Sequence, residues 1–227
     1  MSTKYPPSQV ISKKRVADHG EVLTAEREVN AMLGLVERET ERIDSRFLEP
    51  ACGTGNFLVP ILERKLDVVK KKYSKSQLEF ERYAVVAVGS IYGVDIQEDN
   101  VQQCRERLFN VFNDMYTYLY KSKCKDECRE TVRFILGKNI LHGDALSLKT
   151  ASKKPVPIVF AQWSPVNGSM IKRHDYIFAE LIPGEVEDKG LFAGMNLSDQ
   201  GTPVFIPNSV KEYPLTHFLE LIHENTD

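Results

Sequence analysis

The sequence predicts an α/β fold with three layers and a mostly parallel central sheet. Short apolar runs alternate with longer amphipathic segments between residues 24 and 163, the pattern of strands joined by crossover helices. A glycine-pinched turn, Gly53-Thr54-Gly55, follows directly on the apolar pair Phe47-Leu48, as at a strand-to-helix junction. Two later apolar runs each end in an acid, Asp95 and Asp144. With 227 residues, 42% hydrophobic and 27% charged, the chain has the length and composition to bury a sizeable core.

Residues 1–20 are polar and proline-bearing and are expected to form an arm ahead of a domain over 21–227. From Thr24 to Glu41, Val29, Met32, Leu33 and Val36 recur at helical spacing, with Thr24 placed to cap the helix. Residues 45–50 predict a strand. Residues 55–73 predict a helix burying Phe57, Ile61, Leu62, Leu66 and Val69. A helix is also expected over 79–89, although Ala-Val-Val-Ala-Val within it suits a strand as well. Residues 90–96 predict a second strand, 100–118 a helix with Val101, Cys104, Leu108 and Phe112 on one stripe, 139–146 a third strand and turn, and 157–163 a fourth strand. Beyond Gly168 the pattern weakens. Residues 176–182 and 203–206 predict strands, 184–202 a loop, and 216–223 a closing helix. No compositional break demands a second domain, so residues 21–168 and a less regular part, 169–227, are expected to form one unit.

No run of about 18 apolar residues appears, and the N-terminus lacks a signal-peptide pattern, so no membrane span and a cytoplasmic location are expected. The four cysteines, Cys52, Cys104, Cys124 and Cys128, are too scattered for a disulfide framework. Cys124 and Cys128 lack a second ligand pair at zinc spacing, so reduced thiols and no metal are expected. The net charge of −2 predicts no general affinity for nucleic acid phosphates. Of the local basic clusters, only Lys172-Arg173-His174 follows a candidate active-site loop; the others read as solvated helix faces.

The turn spells G-x-G with Leu58 where a dinucleotide-binding fingerprint has its third glycine, which disfavours a nicotinamide dehydrogenase. Glu49 stands just before the turn, where a carboxylate would repel a pyrophosphate and attract a cation. S-adenosylmethionine, with its sulfonium and ammonium, has the matching charge. In a parallel sheet the crevice outside the carboxyl ends of the strands is the binding place. There Gly53 and Gly55 let the main chain pass under a ligand, Asp95 can accept hydrogen bonds from ribose hydroxyls, and Asp144 can accept from an adenine amine while Ala145 offers its N–H. Each acid taken alone is equally a turn former or a cap.

The segment Glu49-Pro-Ala-Cys-Gly-Thr-Gly-Asn-Phe-Leu58 resembles the cofactor motif of the N6-adenine DNA methyltransferases of restriction–modification systems. The segment His19-Gly-Glu-Val-Leu-Thr-Ala25 resembles their N-terminal motif, with Ala25 in place of a proline. That order of motifs is the gamma order of the type I and Eco57I-like modification subunits, and the resemblance spans about residues 19 to 168. It implies a Rossmann-like methyltransferase fold. It also implies that Leu23 and Thr24 flank the methionine moiety, Glu49 holds its ammonium, Cys52, Gly53, Thr54 and Gly55 form the floor, and Ala51, Asn56 and Phe57 belong to the same cofactor-binding segment. Asp95 would bind the ribose, Ile96 would pack on the adenine, and Asp144 would accept from its amine, with the Ala145 N–H offered beside it.

After the fourth strand the family carries a polar residue, two prolines and an aromatic, which accept from the target amine and stack on a flipped base. This chain has Ser164-Pro165-Val166-Asn167. Ser164, Pro165 and Asn167 are therefore the catalytic candidates that the resemblance implies, and a Ser-Pro turn ending a strand is the plain structural alternative. The expected activity is S-adenosylmethionine-dependent methylation of adenine N6 in DNA, with a specificity or nuclease subunit as a partner to read the bases. The alternatives are a methyltransferase-like subunit or regulator with impaired catalysis, and an enzyme acting on protein or a small molecule.

Overall fold

The computed structural model describes Arg15 and residues 24–181, 195–197, 203–205 and 209–225. Among these the chain forms seven α-helices and two principal sheets, one of them mostly parallel, which is the α/β class. Helices α1 (Glu26–Leu35) and α2 (Glu37–Thr40) divide the single helix expected over 24–41, with the break at Val36 two residues after the weak helix former Gly34. Ala25, not Thr24, occupies the N-cap position, and it makes no side-chain cap bond.

Strand β1 (Phe47–Glu49), helices α3 (Leu58–Tyr73) and α4 (Gln77–Gly89), strand β2 (Ile91–Asp95) and helix α5 (Glu98–Tyr120) lie close to their expected bounds. The Ser76 hydroxyl caps α4 by accepting from the Glu79 N–H. Helix α6 (Asp126–Asn139) was not expected, yet its buried Cys128, Thr131, Val132, Ile135 and Leu136 follow helical spacing, a signal present in the sequence. Strand β3 (Ile140–Asp144) follows it, and β4 (Lys149–Thr150) turns back on β3.

The parallel sheet has the order β1-β2-β3, with Glu49 opposite Gly93 and Asp95 opposite His142. Alternation along β2 sorts its side chains: Ile91 joins the core shared with α1 and α3 to α6, whereas Tyr92 and Val94 face Ile158, Phe160 and Phe178. Each fully buried Leu or Phe in these cores contributes about 1.5–3 kcal/mol.

The fourth strand departs from expectation. Strand β5 (Val159–Asn167) does not extend the parallel sheet; it pairs antiparallel with β6 (Met170–Ile177) in a separate sheet. Ile158, just before β5, contacts the position of Gly143 near the carboxyl end of β3. Trp163 donates its indole N–H to Asn139 Oδ1 (3.1 Å), and Asn139 in turn donates to Gly89 O and Ile91 O (3.2 and 3.1 Å) at the opposite edge. Strand β5 thus crosses β2 and β3 against their direction.

Of the strand expected over 176–182, Tyr176 and Ile177 end β6, helix α7 (Phe178–Leu181) replaces the next four residues, and Ile182 lies outside the described residues. Strands β7 (Met195–Leu197) and β8 (Pro203–Phe205) pair with each other. The remainder of the loop expected over 184–202, together with Ile206, lies outside the described residues. Strands β9 (Lys211–Glu212) and β10 (Thr216–His217) both add to β6. Strand β10 and a 3-10 turn over Leu221–Asn225 stand where a closing helix was expected, because Phe218 N–H is drawn to Ser169 O (2.9 Å). No helix among the described residues is long and apolar enough to cross a membrane.

Lys65 is a buried exception on the apolar face of α3. Its ammonium donates to the carbonyls of Arg42 and Ile43 (2.8 and 3.2 Å) and of Ser45, closing the loop before β1. Burial pulls its pKa down to about 8. The unfolded chain keeps that proton until about pH 10.4, so the folded state binds fewer protons between the two values and stability through Lys65 rises with pH there. Urea denaturation of wild type and Lys65→Met should show the wild-type advantage growing by about 2 kcal/mol from about pH 7 to about pH 9.5. A pH-independent difference would refute the assignment.

Candidate functional site

The site is built on the carboxyl edge of β1, β2 and β3. Strand alternation and the observed register put Glu49, Gly93, Asp95, His142 and Asp144 on one face. Neighbouring acids are staggered by two residues across one strand spacing, so their Cα atoms lie about 8 Å apart.

After β1 the chain bends over the end of β2. Glu49 accepts from Ala51 N–H (3.1 Å), and Cys52 N–H reaches Val94 O (2.9 Å). Gly53 and Gly55 have φ of 51° and 91°, a left-handed geometry that glycine adopts without strain. Gly55 is also sterically confined: a Cβ there would stand 2.9 Å from Cys104 Sγ. Gly93, which the sequence analysis did not single out, is held as tightly, since a Cβ there would lie 3.0 Å from Cys52 and Leu58. Its signal was a glycine in a strand that otherwise favours bulky residues.

Asp95 ties the bend to β2. Its Oδ2 accepts from Gly53 N–H (2.8 Å), while Oδ1 accepts from Gln97 N–H (2.8 Å) and Asn100 Nδ2 (3.2 Å). An ionised carboxylate has about four acceptor sites, so three are engaged within the chain. Ile96 is half exposed at the crest, and its carbonyl meets His142 Nε2 at 3.1 Å. His142, also missed as a site residue, therefore sits between Asp95 and Asp144.

Asp144 accepts from Leu146 N–H (2.9 Å); this bond, helped by the Ser147 hydroxyl, holds its carboxyl below the usual range. Ala145 packs beside the second apolar cluster. The neighbouring Cys104 thiol and burial push the Cys52 thiol well above its ordinary range.

Thr24 reaches the site through its backbone: Asn56 Nδ2 donates to its carbonyl at 3.2 Å. Thr54 is buried, Phe57 packs against the main core, and Ala51 is exposed. Leu23 lies outside the described residues, as does the arm apart from Arg15, which pairs with Asp99 at 2.6 Å in the first turn of α5. The structure thus brings Thr24, Glu49, residues 51–57, Asp95, Ile96, Asp144 and Ala145 to one edge of the sheet.

Ser164, Pro165 and Asn167 are elsewhere. They follow Trp163 past the amino edge of β2 and β3, a strand length of about 13 Å from the carboxyl edge. Ser164 accepts from Gln162 Nε2 (3.1 Å), and Pro165 lies in a small cleft with Arg82, Tyr83, Gly168 and Phe218. The reason is the reversed direction of β5, which carries its carboxyl end away from the other three.

The basic cluster after this segment is not an exposed patch. Arg173 is buried, pairs with both oxygens of Asp175 at 2.8 Å, and stacks 3.9 Å over the Tyr213 ring. Lys172 and His174 face Glu212 at 3.6 and 3.9 Å.

Chemically, the crest gathers three carboxylates around a main-chain cradle with no room for a side chain at Gly55 and little at Gly93. Such an edge attracts a cationic ligand and offers acceptors to hydroxyl and amine groups. No family model, curated protein or solved structure matches this chain.

Proposed function

We propose that this chain holds S-adenosylmethionine for methyl transfer, as the cofactor-binding part of an N6-adenine DNA methyltransferase. The carrying observation is Asp95, fixed to Gly53 at the centre of a crest flanked by Glu49 and Asp144. On this proposal the three parallel strands are part of a Rossmann-like methyltransferase sheet. Glu49 faces the ammonium, Asp95 accepts from the ribose with its remaining acceptor site, Ile96 packs on the adenine, and Asp144 accepts from its amine. When bound, the cofactor supplies an activated methyl group on a sulfonium. The chain's own part is to orient that group and to surround its positive charge with fixed carboxylates and dipoles.

The remoteness of Ser164, Pro165 and Asn167 favours the second reading, a methyltransferase-like subunit that completes its catalytic site with a partner chain. The burial of Arg173 points the same way for DNA, since it takes one cation out of the basic cluster that follows the catalytic candidates. A specificity or nuclease subunit would then supply base recognition.

Isothermal titration with S-adenosylmethionine and S-adenosylhomocysteine tests both points. Wild type should bind both ligands, NAD should not compete, and Ser164→Ala should leave affinity within about twofold, as for a surface change remote from the ligand. Absence of binding to wild type would reject the cofactor assignment. Loss of binding in Ser164→Ala would return that residue to the site.

A further inference from the structure

Arg107 projects from α5 onto the glycine bend. Its Nη1 donates to the Thr54 carbonyl (2.7 Å), to Thr54 Oγ1 (3.1 Å) and to Asn56 Oδ1 (2.9 Å). With its oxygen so engaged, the Asn56 amide turns its Nδ2 toward the Thr24 carbonyl. One guanidinium and one amide thereby connect three segments distant in sequence: residue 24, the bend at 54–56, and α5. A bend passing through left-handed backbone at both glycines offers no regular ladder to the Thr54 carbonyl, and a buried carbonyl needs a donor. A cationic donor makes the stronger bond, and the pre-organised planar guanidinium loses less freedom per bond than an ammonium on a flexible stem.

From these contacts we infer that Arg107 is a positioning residue: it fastens the glycine bend and the segment at Thr24 into one cradle, with Asn56 as the coupling between them. The inference rests on that cradle being the adenosyl-ligand site proposed above. Arg107 touches the ligand at no point. It acts by holding the backbone under the ligand in the shape that binds.

A charge effect and a positioning effect have opposite signs here. S-adenosylmethionine carries a sulfonium charge that S-adenosylhomocysteine lacks. Removing a nearby cation would therefore tighten the charged ligand relative to the neutral-sulfur one. Loosening the cradle would weaken both by the same factor.

The test is titration of both ligands into wild type, Arg107→Ala, Arg107→Lys, Asn56→Ala and the double variant Arg107→Ala/Asn56→Ala. Hydrogen exchange of the amides of residues 52–57 is followed in parallel. Arg107→Ala should weaken both ligands by about tenfold, the size of one charge-assisted hydrogen bond, and S-adenosylhomocysteine at least as much as S-adenosylmethionine. Arg107→Lys should recover only part of that loss. Asn56→Ala should add little to Arg107→Ala, because the two act in one chain of contacts. Exchange at 52–57 should quicken while the urea midpoint of the remaining structure holds. Unchanged affinity in a folded Arg107→Ala, an effect confined to S-adenosylmethionine, or full recovery by lysine would overturn the proposal while leaving the cofactor site standing. Failure of wild type to bind either ligand would overturn the site itself, and the positioning role with it. Should Arg107→Ala not fold, Asn56→Ala carries the test, and unchanged affinity and exchange in that variant would overturn the coupling.

Discussion

Arg173→Ala is expected to destabilise the protein by about 3–5 kcal/mol, the range for removing one partner of a buried ion pair. Arg173 lies in the middle strand of its sheet, with β5 on one side and β9 and β10 on the other. Its guanidinium meets both oxygens of Asp175, which also accepts from Tyr213 Oη at 3.1 Å. Without the arginine, a buried carboxylate keeps one phenol donor and loses its counter-charge. Thermal denaturation should show a fall in Tm on the order of 10 °C for a chain of this length. Lys172→Ala is the control, because its 3.6 Å contact with the exposed Glu212 is a surface pair contributing less than about 1 kcal/mol. Equal effects of the two substitutions would show that the buried pair does not organise the hairpin.

The second large effect is expected at Asp95. Asp95→Asn is nearly isosteric, but its new amide nitrogen must face either Gly53 N–H or Gln97 N–H, because the two carboxylate oxygens serve those donors separately. One donor then meets another donor. The expected loss is about 1–3 kcal/mol of stability from the unsatisfied group, together with at least tenfold weaker binding of S-adenosylhomocysteine in titration calorimetry. Asn100→Ala separates the two consequences, since it removes only one donor to Oδ1 and leaves the carboxylate in place. It should bind ligand within a few fold of wild type. If Asp95→Asn bound the ligand as wild type does, Asp95 would be a turn-holding residue alone.

Much of the site was legible because strand and helix periods are local properties. The stripe of Val101, Cys104, Leu108 and Phe112 is buried as its spacing requires. Phe47-Leu48-Glu49 and Ile91–Asp95 are strands because apolar runs bounded by turn formers have few other uses. The acids at their ends share an edge because parallel strands linked by helices must all point the same way. Helix α6 carries the same kind of signal, but its apolar positions are interleaved with six charged residues among its fourteen, DECRETVRFILGKN.

Other features had no local signature. Nothing in Pro157–Trp163 says whether the strand runs with or against its neighbours, and that direction moves Ser164 from one end of the sheet to the other. Thr24 looks like a cap because of its side chain, but it serves the site through its carbonyl, which every residue possesses. The burial of Arg173 depends on Tyr213 arriving from a distant segment, whereas Arg173 and Asp175, two places apart on one strand, look like ordinary surface charges in the sequence.

By itself, then, the sequence determined the α/β class, the glycine bend and the order of the three acids, since each follows from residue type and short-range spacing. Only the tertiary structure decided which edge of the sheet each motif occupies and which charges turn inward. Strand direction and long-range pairing are settled by contacts such as Trp163 on Asn139 and Arg173 on Tyr213, between residues that no local pattern connects.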